Sequence, residues 1–286
     1  MERGVLYFAK GEKFISEAEL SARRVKDVLG NLPITLVSDR AYESPHFDRI
    51  LLDDSEFTKS DKPRSLLKSP YDKTLYLDSD VWIEENICEV FDILEQFDFG
   101  VVKDPLEPHI HDIDEEHPVN GVPEAFPEFN SGFIVYNQTT EVVNMLEDWI
   151  SRCNPSDDRD QRSFRPALYH SDVNMTSLSP RYNCMYRAEN ALNGLVKVFH
   201  GQMVEARQTS HGYHGIALED AIEEINQYDG SRVSFRYKNQ VITIPPIPAL
   251  AHLQFTFEQE GVKATLKSFG TYIKRTISNR SFGLRG

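Results

Sequence analysis

Thr74-Leu75-Tyr76-Leu77-Asp78-Ser79-Asp80-Val81-Trp82-Ile83 is the stretch on which the reading of this chain turns. The bulky run Leu75-Tyr76-Leu77 predicts a short buried strand, and it feeds directly into two carboxylates at positions i and i+2. The carboxyl end of a strand is where open α/β sheets place ligands. Two acids in such a crevice repel each other and lose water, so both stay ionised only with a positive charge between them. A hard divalent cation carrying a phosphorylated ligand meets that need. Asp78-Ser79-Asp80 is therefore expected to form a metal–diphosphate site. A solvated turn is the plain alternative, since Asp is a common turn residue. An EF-hand loop needs glycine at its sixth position, which here is Ile83.

Outward from this stretch, strands and helices alternate. Gly4–Ala9, Ile34–Ser38 and Asp48–Leu52 read as strands before it, and Phe99–Val102 and Phe129–Tyr136 as strands after it. Ser16–Leu29 reads as a helix, with Ser16 as N-cap and Glu19 closing a capping box. Further helices are expected over Lys62–Leu67, Asn86–Phe97, Glu141–Cys153 and Asp160–Tyr169, the last strained by Pro166. Their apolar residues recur on one face, as Ile87, Val90, Phe91 and Leu94 do. Such alternation predicts an α/β fold: one Rossmann-like, mostly parallel sheet with helices on both faces. Residues 103–127 break the rhythm with a long polar, Pro-rich loop, of a length that is usually either functional or disordered. Val196–Phe199 reads as a last core strand leading to His200-Gly201.

Beyond about residue 215 the texture changes, and the chain divides into 1–215 and a C-terminal extension, 216–286. Val233–Tyr237 and Val241–Ile244 predict a hairpin. Val262, Leu266, Phe269, Ile273 and Ile277 then lie on one face of a helix, with Lys263, Lys267, Lys274 and Arg275 off it. The formal charge of the 286 residues is −14, which argues against broad nucleic-acid binding. Residues 261–286 hold six basic and no acidic residues. That pattern fits either a helix packed on the domain or one lying on an anionic membrane. The three cysteines, Cys88, Cys153 and Cys184, have no zinc or redox spacing. With no signal-peptide pattern and no apolar stretch of membrane-spanning length, a cytoplasmic protein is expected, in peripheral membrane contact through 262–277 if at all.

Four signatures fall in one order: Asp78-Ser79-Asp80, Asn130-Ser131-Gly132, Asp160-Gln161 and His200-Gly201. Over residues 4–201 this order resembles glycosyltransferase family 8, the group containing glycogenin and the bacterial lipooligosaccharide galactosyltransferases. The resemblance implies the GT-A fold. It also implies transfer of a sugar from a nucleotide-diphosphate donor, of UDP type, to a saccharide, lipid-linked or protein acceptor, with Mn2+ or Mg2+ and with retention. It assigns Asp78, Asp80 and His200 to the metal, a donor set that suits manganese. It sets Asn130, Asp160 and Gln161 beside the reacting sugar, with Ser131 and Gly132 along the donor. Ser79 and Gly201 fall in the donor site, Lys62 is either a surface lysine or a partner of a diphosphate or sugar oxygen with Arg64 as its substitute, and Phe8, Ala9, Lys10 and Phe14 face the base.

Two departures stand out. The haloacid-dehalogenase phosphatases share Asp-x-Asp but continue with Thr or Val where this chain has Trp82. The family 8 resemblance in turn lacks the Lys-Pro-Trp string after its metal histidine, so the diphosphate lysine is missing. Arg207, His211 and His214 are candidates to replace it. The missing lysine also leaves open a GT-A scaffold that binds carbohydrate or a partner without catalysis. His109, His111 and His117 read as part of an acceptor-facing loop.

Overall fold

A computed structural model describes residues 2–53, 55–58, 60–107, 121–153, 160–201, 216–237, 240–244 and 267. Its strands are β1 (Arg3–Ala9), β2 (Ile34–Ser38), β3 (Arg49–Leu52), β4 (Lys73–Leu77), β5 (Val81–Ile83), β6 (Phe99–Lys103), β7 (Phe129–Asn137), β8 (Met175–Leu178), β9 (Cys184–Met185), β10 (Asn190–Leu192), β11 (Val198–His200), β12 (Arg232–Tyr237) and β13 (Gln240–Ile244). The helices are α1 (Glu12–Leu29), α2 (Asp61–Leu67), α3 (Val90–Ile93), α4 (Thr140–Arg152), α5 (Gln161–Tyr169) and α6 (Leu218–Asn226).

Seven strands form the central sheet in the order β3-β2-β1-β4-β7-β6-β8. Six share one direction, and β7 runs against both of its neighbours. The expected α/β architecture is present, with helices on both faces. Side-chain alternation explains it. On β1, Val5, Tyr7 and Ala9 point to one core and Leu6 and Phe8 to the other. On β4, Leu75 and Leu77 oppose Tyr76 in the same way. The α1 stripe Ile15, Ala18, Ala22 and Val25 covers the first face. Leu66 of α2, Trp149 of α4 and Phe164 of α5 cover the second. Trp149 and Phe164 stack with ring centroids 4.3 Å apart.

Several local expectations need correction. Helix α1 starts at Glu12, with Gly11 at its N-cap in a left-handed conformation (φ 86°). Ser16 lies inside the helix and donates to the Glu12 carbonyl at 2.8 Å, while Glu19 accepts from the Tyr42 hydroxyl, so there is no capping box. The apolar stripe beginning at Ile15 draws in one more turn than the cap-like residues suggested. The helix expected over 86–97 shrinks to Val90–Ile93, flanked by turns with i→i+3 bonds such as Val90 N–H to Ile87 O. The four residues of the expected apolar face, Ile87, Val90, Phe91 and Leu94, are nonetheless all buried.

Two small sheets complete the molecule. β11 runs antiparallel to β5 and parallel to β9, and β12 pairs with β10 and β13. The last core strand therefore joins a small sheet beside the main one. Residues 216–244 share a core with 184–199: Ile216, Leu218, Ala221 and Ile225 pack with Tyr186, Val196 and Phe199. The expected helix over 262–277 and the loop histidines His109, His111 and His117 lie outside the described residues.

Candidate functional site

The carboxyl end of β4 delivers Asp78 into a tight turn, closed by Val81 N–H to Asp78 O at 3.2 Å, and β5 begins immediately. This turn carries Ser79 and Asp80. Because β5 pairs with β11 in the register Val81↔His200, a histidine 120 residues away comes to lie beside Asp80. The Gly201 N–H, donating to the Asp80 carbonyl at 3.0 Å, fixes the approach.

His200 Nε2 lies 3.1 Å from Asp80 Oδ1 and 4.0 Å from Asp78 Oδ2. Ligand atoms of the three residues all fall within 4.8 Å of one another. Two donors bound cis to one six-coordinate cation at about 2.1 Å sit about 3 Å apart, so the Asp80–His200 spacing fits a shared ion. The second imidazole nitrogen is held as well: Nδ1 donates to Asn183 Oδ1 at 2.9 Å, which turns Nε2 towards the carboxylates. Two carboxylate oxygens and one imidazole nitrogen placed in this way could hold a divalent metal ion.

The charges are mutually supporting. Burial works against the ionised Asp80 carboxyl, but His200 outweighs it and brings the pKa down to about 2. Burial likewise opposes a protonated His200, and Asp80 followed by Asp78 raises its pKa nonetheless. Lys62 Nζ lies 3.0 Å from each Asp78 oxygen, 3.2 Å from Asp160 Oδ2 and 3.0 Å from Ser131 Oγ. Its burial disfavours the ammonium, yet Asp160 and Asp78 raise its pKa above the ordinary value. The Tyr76 hydroxyl donates to Asp78 Oδ1 at 2.7 Å. Burial, with Asp78 adding to it, lifts the phenol well above its usual range.

A polar network runs from the histidine into the sheet. Asn183 Nδ2 donates to Asn130 Oδ1 at 2.8 Å, and the same oxygen accepts the Gly132 N–H at 2.9 Å. Asn130 Nδ2 donates to Asp104 Oδ2 at 3.1 Å. Gln161 Nε2 donates to Asp104 Oδ2 at 2.8 Å and to Glu128 Oε1 at 2.7 Å. Asn130, Ser131 and Gly132 sit where β7 arches away from β6, since the register jumps from Val101↔Ile134 to Val102↔Asn130. Bulges of this kind re-aim side chains at sheet edges. The arch also needs Gly132: a Cβ there would fall 2.3 Å from His200 Cε1.

All four signatures therefore meet at one end of the sheet. Lys10 is turned into a different cluster, with its ammonium 2.9 Å from Asp61 Oδ2 and 3.5 Å from Asp53 Oδ1. Ala9 is buried in the core, Phe8 is partly buried, and Phe14 is half exposed near the start of α1. Arg207, His211 and His214 lie outside the described residues. The sequence did not mark Asp104, Glu128 or Asn183 as site residues, and it marked Tyr76 only as part of a buried strand. Asp104 had a signal, an acid at a strand end before Pro105; Asn183 had none.

No family model matches the chain, and no curated protein sequence does. Among solved structures, the chain is similar to the galactosyltransferase LgtC in complex with donor and acceptor sugar analogues. The identity is 14%, over 73% of this chain and 91% of that one, with a TM-score of 0.52. An active-site mutant of LgtC is similar at 14% identity, with the same coverage and a TM-score of 0.50. The chain has the GT-A fold. In this GT-A sheet the acid-rich turn follows the central strand β4, with β1 and β7 on either side.

Proposed function

We propose that this protein is a metal-dependent glycosyltransferase that moves a sugar from a nucleoside-diphosphate donor of UDP type to a saccharide, lipid-linked or protein acceptor. The observation that carries the reading is the meeting of the Asp78–Asp80–His200 group with the Asn130–Asp104–Gln161 network at one end of a GT-A sheet. That LgtC was captured with donor and acceptor sugar analogues supports the substrate class.

In this reading Asp78, Asp80 and His200 would hold Mn2+ or Mg2+, and the bound ion would supply positive charge to the diphosphate leaving group. Asn130, Asp160 and Gln161 position the sugar, and the carboxylates beside them stabilise positive charge developing at its anomeric carbon. The bond from that carbon to the diphosphate oxygen breaks, an acceptor hydroxyl oxygen bonds to the carbon, and the hydroxyl proton leaves with the diphosphate. Attack from the departing face gives retention. Phe8, Ala9, Lys10 and Phe14 belong on the base side of the donor, and Lys62, Ser79, Ser131, Gly132 and Gly201 along its diphosphate and sugar.

Calorimetry with UDP and Mn2+ tests the site. Wild type should bind UDP in a Mn2+-dependent way, and Asp80→Asn should abolish that dependence; unchanged binding in the variant sinks the assignment. The anomeric proton coupling of a transferred sugar, read by NMR, tests retention. We also propose cytoplasmic residence with membrane contact through residues 262–277. No helix among the described residues is long and apolar enough to cross a membrane. Equal sedimentation with anionic liposomes, with and without residues 261–286, would remove the membrane idea.

A further inference from the structure

We propose that Arg187 is the guanidinium that receives the diphosphate of the donor, beside His200 and Gly201. The inference rests on the glycosyl-transfer reading and deepens it. Arg187 lies in the turn that ends β9, closed by Ala188 N–H to Met185 O at 2.8 Å. β9 lies parallel to β11 with Met185 opposite His200, so both strands end at the same edge of the small sheet. Arg187 is held there by contact. A Cβ on Gly201 would meet Arg187 Nε at 3.0 Å and the Tyr186 ring at 2.8 Å, and Gly201 has the positive φ of 150° that suits glycine. The guanidinium carbon stands 6.0 Å from the centre of the Tyr186 ring.

The cations around the site are differently engaged. Lys62 is matched by Asp78 and Asp160, and Lys10 by Asp61 and Asp53. Arg187 is half-buried and, among the described residues, makes no hydrogen bond or ion pair. An unmatched guanidinium packed against Gly201, next to a candidate cation ligand, offers a fork of donors to an anion that binds there. Phosphate oxygens accept such a fork two at a time, with shorter and stronger bonds than neutral partners make. A diphosphate bridging the bound cation and Arg187 would satisfy both.

Calorimetry in Mn2+ with UDP, UMP and uridine as probes tests the assignment. Arg187→Ala should weaken UDP at least tenfold and UMP less, leaving uridine and Mn2+ affinity within twofold of wild type. Arg187→Lys, which keeps the charge but not the fork, should recover part of the loss. Matching melting temperatures establish that the variants fold, and Arg187→Gln serves if the alanine variant does not. Equal UDP affinity in wild type and Arg187→Ala overturns the Arg187 assignment alone. A wild type that binds no UDP overturns the transferase reading, and this inference with it. Parallel losses of UDP and uridine would show that Arg187 only supports the local structure, and would overturn it too.

Discussion

Gly132 has no room for a side chain, because the His200 ring occupies the space a Cβ would take. Gly132→Ala should push the imidazole away from Asp80 and lower Mn2+ affinity at least tenfold, with a smaller effect on thermal stability. Electron paramagnetic resonance of free Mn2+ measures the first and thermal denaturation the second. Protons and cation also compete at this histidine. In the metal-free protein the His200–Asp80 pair contributes stability that fades as pH rises from about 6.5 through the raised pKa of His200. It also fades as pH falls from about 4 towards the Asp80 value of about 2. The melting-temperature difference between wild type and Asp80→Asn should therefore be largest between about pH 4 and 6.5. Mn2+ affinity should rise with pH as Nε2 loses its proton, which calorimetry across pH measures. A flat affinity would exclude His200 as a ligand.

Among the elements, α4 was the most legible and α3 the least. Thr139 caps α4, its side chain accepting from Val142 N–H, and Val142, Met145, Leu146 and Trp149 are buried as their spacing predicts. Thr139→Ala should destabilise the protein by about 1 kcal/mol in denaturant unfolding and leave UDP binding unchanged. The α4–α5 pair has a direct link to the site, since the Trp149 indole donates to the Asp160 carbonyl at 3.0 Å. In α3, apolar periodicity correctly marked which residues are buried. It did not reveal that turns would replace helix on both sides, because a 3.6-residue pattern and a succession of i→i+3 turns bury similar positions. β8 carried no clear signal: only Leu178 is fully buried, as befits a strand with one sheet neighbour.

For the whole molecule, the placement of His200 depends on the segment that follows it. Phe199 shares its core with Ile216, Leu218, Ala221 and Ile225, and Asn226 exchanges two hydrogen bonds with Val196. We propose residues 1–215 as the transferase unit and 216–286 as its extension. The shared core predicts that a chain ending at residue 215 melts at least about 5 °C lower and loses Mn2+ affinity. That shift corresponds to only about 1–2 kcal/mol in a chain of this size. Unchanged melting and Mn2+ binding would show that the first unit builds its site alone.

By itself the sequence determined the layered α/β sheet, because alternating strands and amphipathic helices carry their burial pattern residue by residue. It also located the acid turn after β4, since a strand end followed by paired carboxylates is a local pattern. Only the tertiary structure decided how the site is assembled. The arch of β7, the pairing of β5 with β11 and the Asn183 bond to His200 each join residues far apart in the chain. Such contacts depend on strand register and on space left by glycine, and neither is written in any one segment.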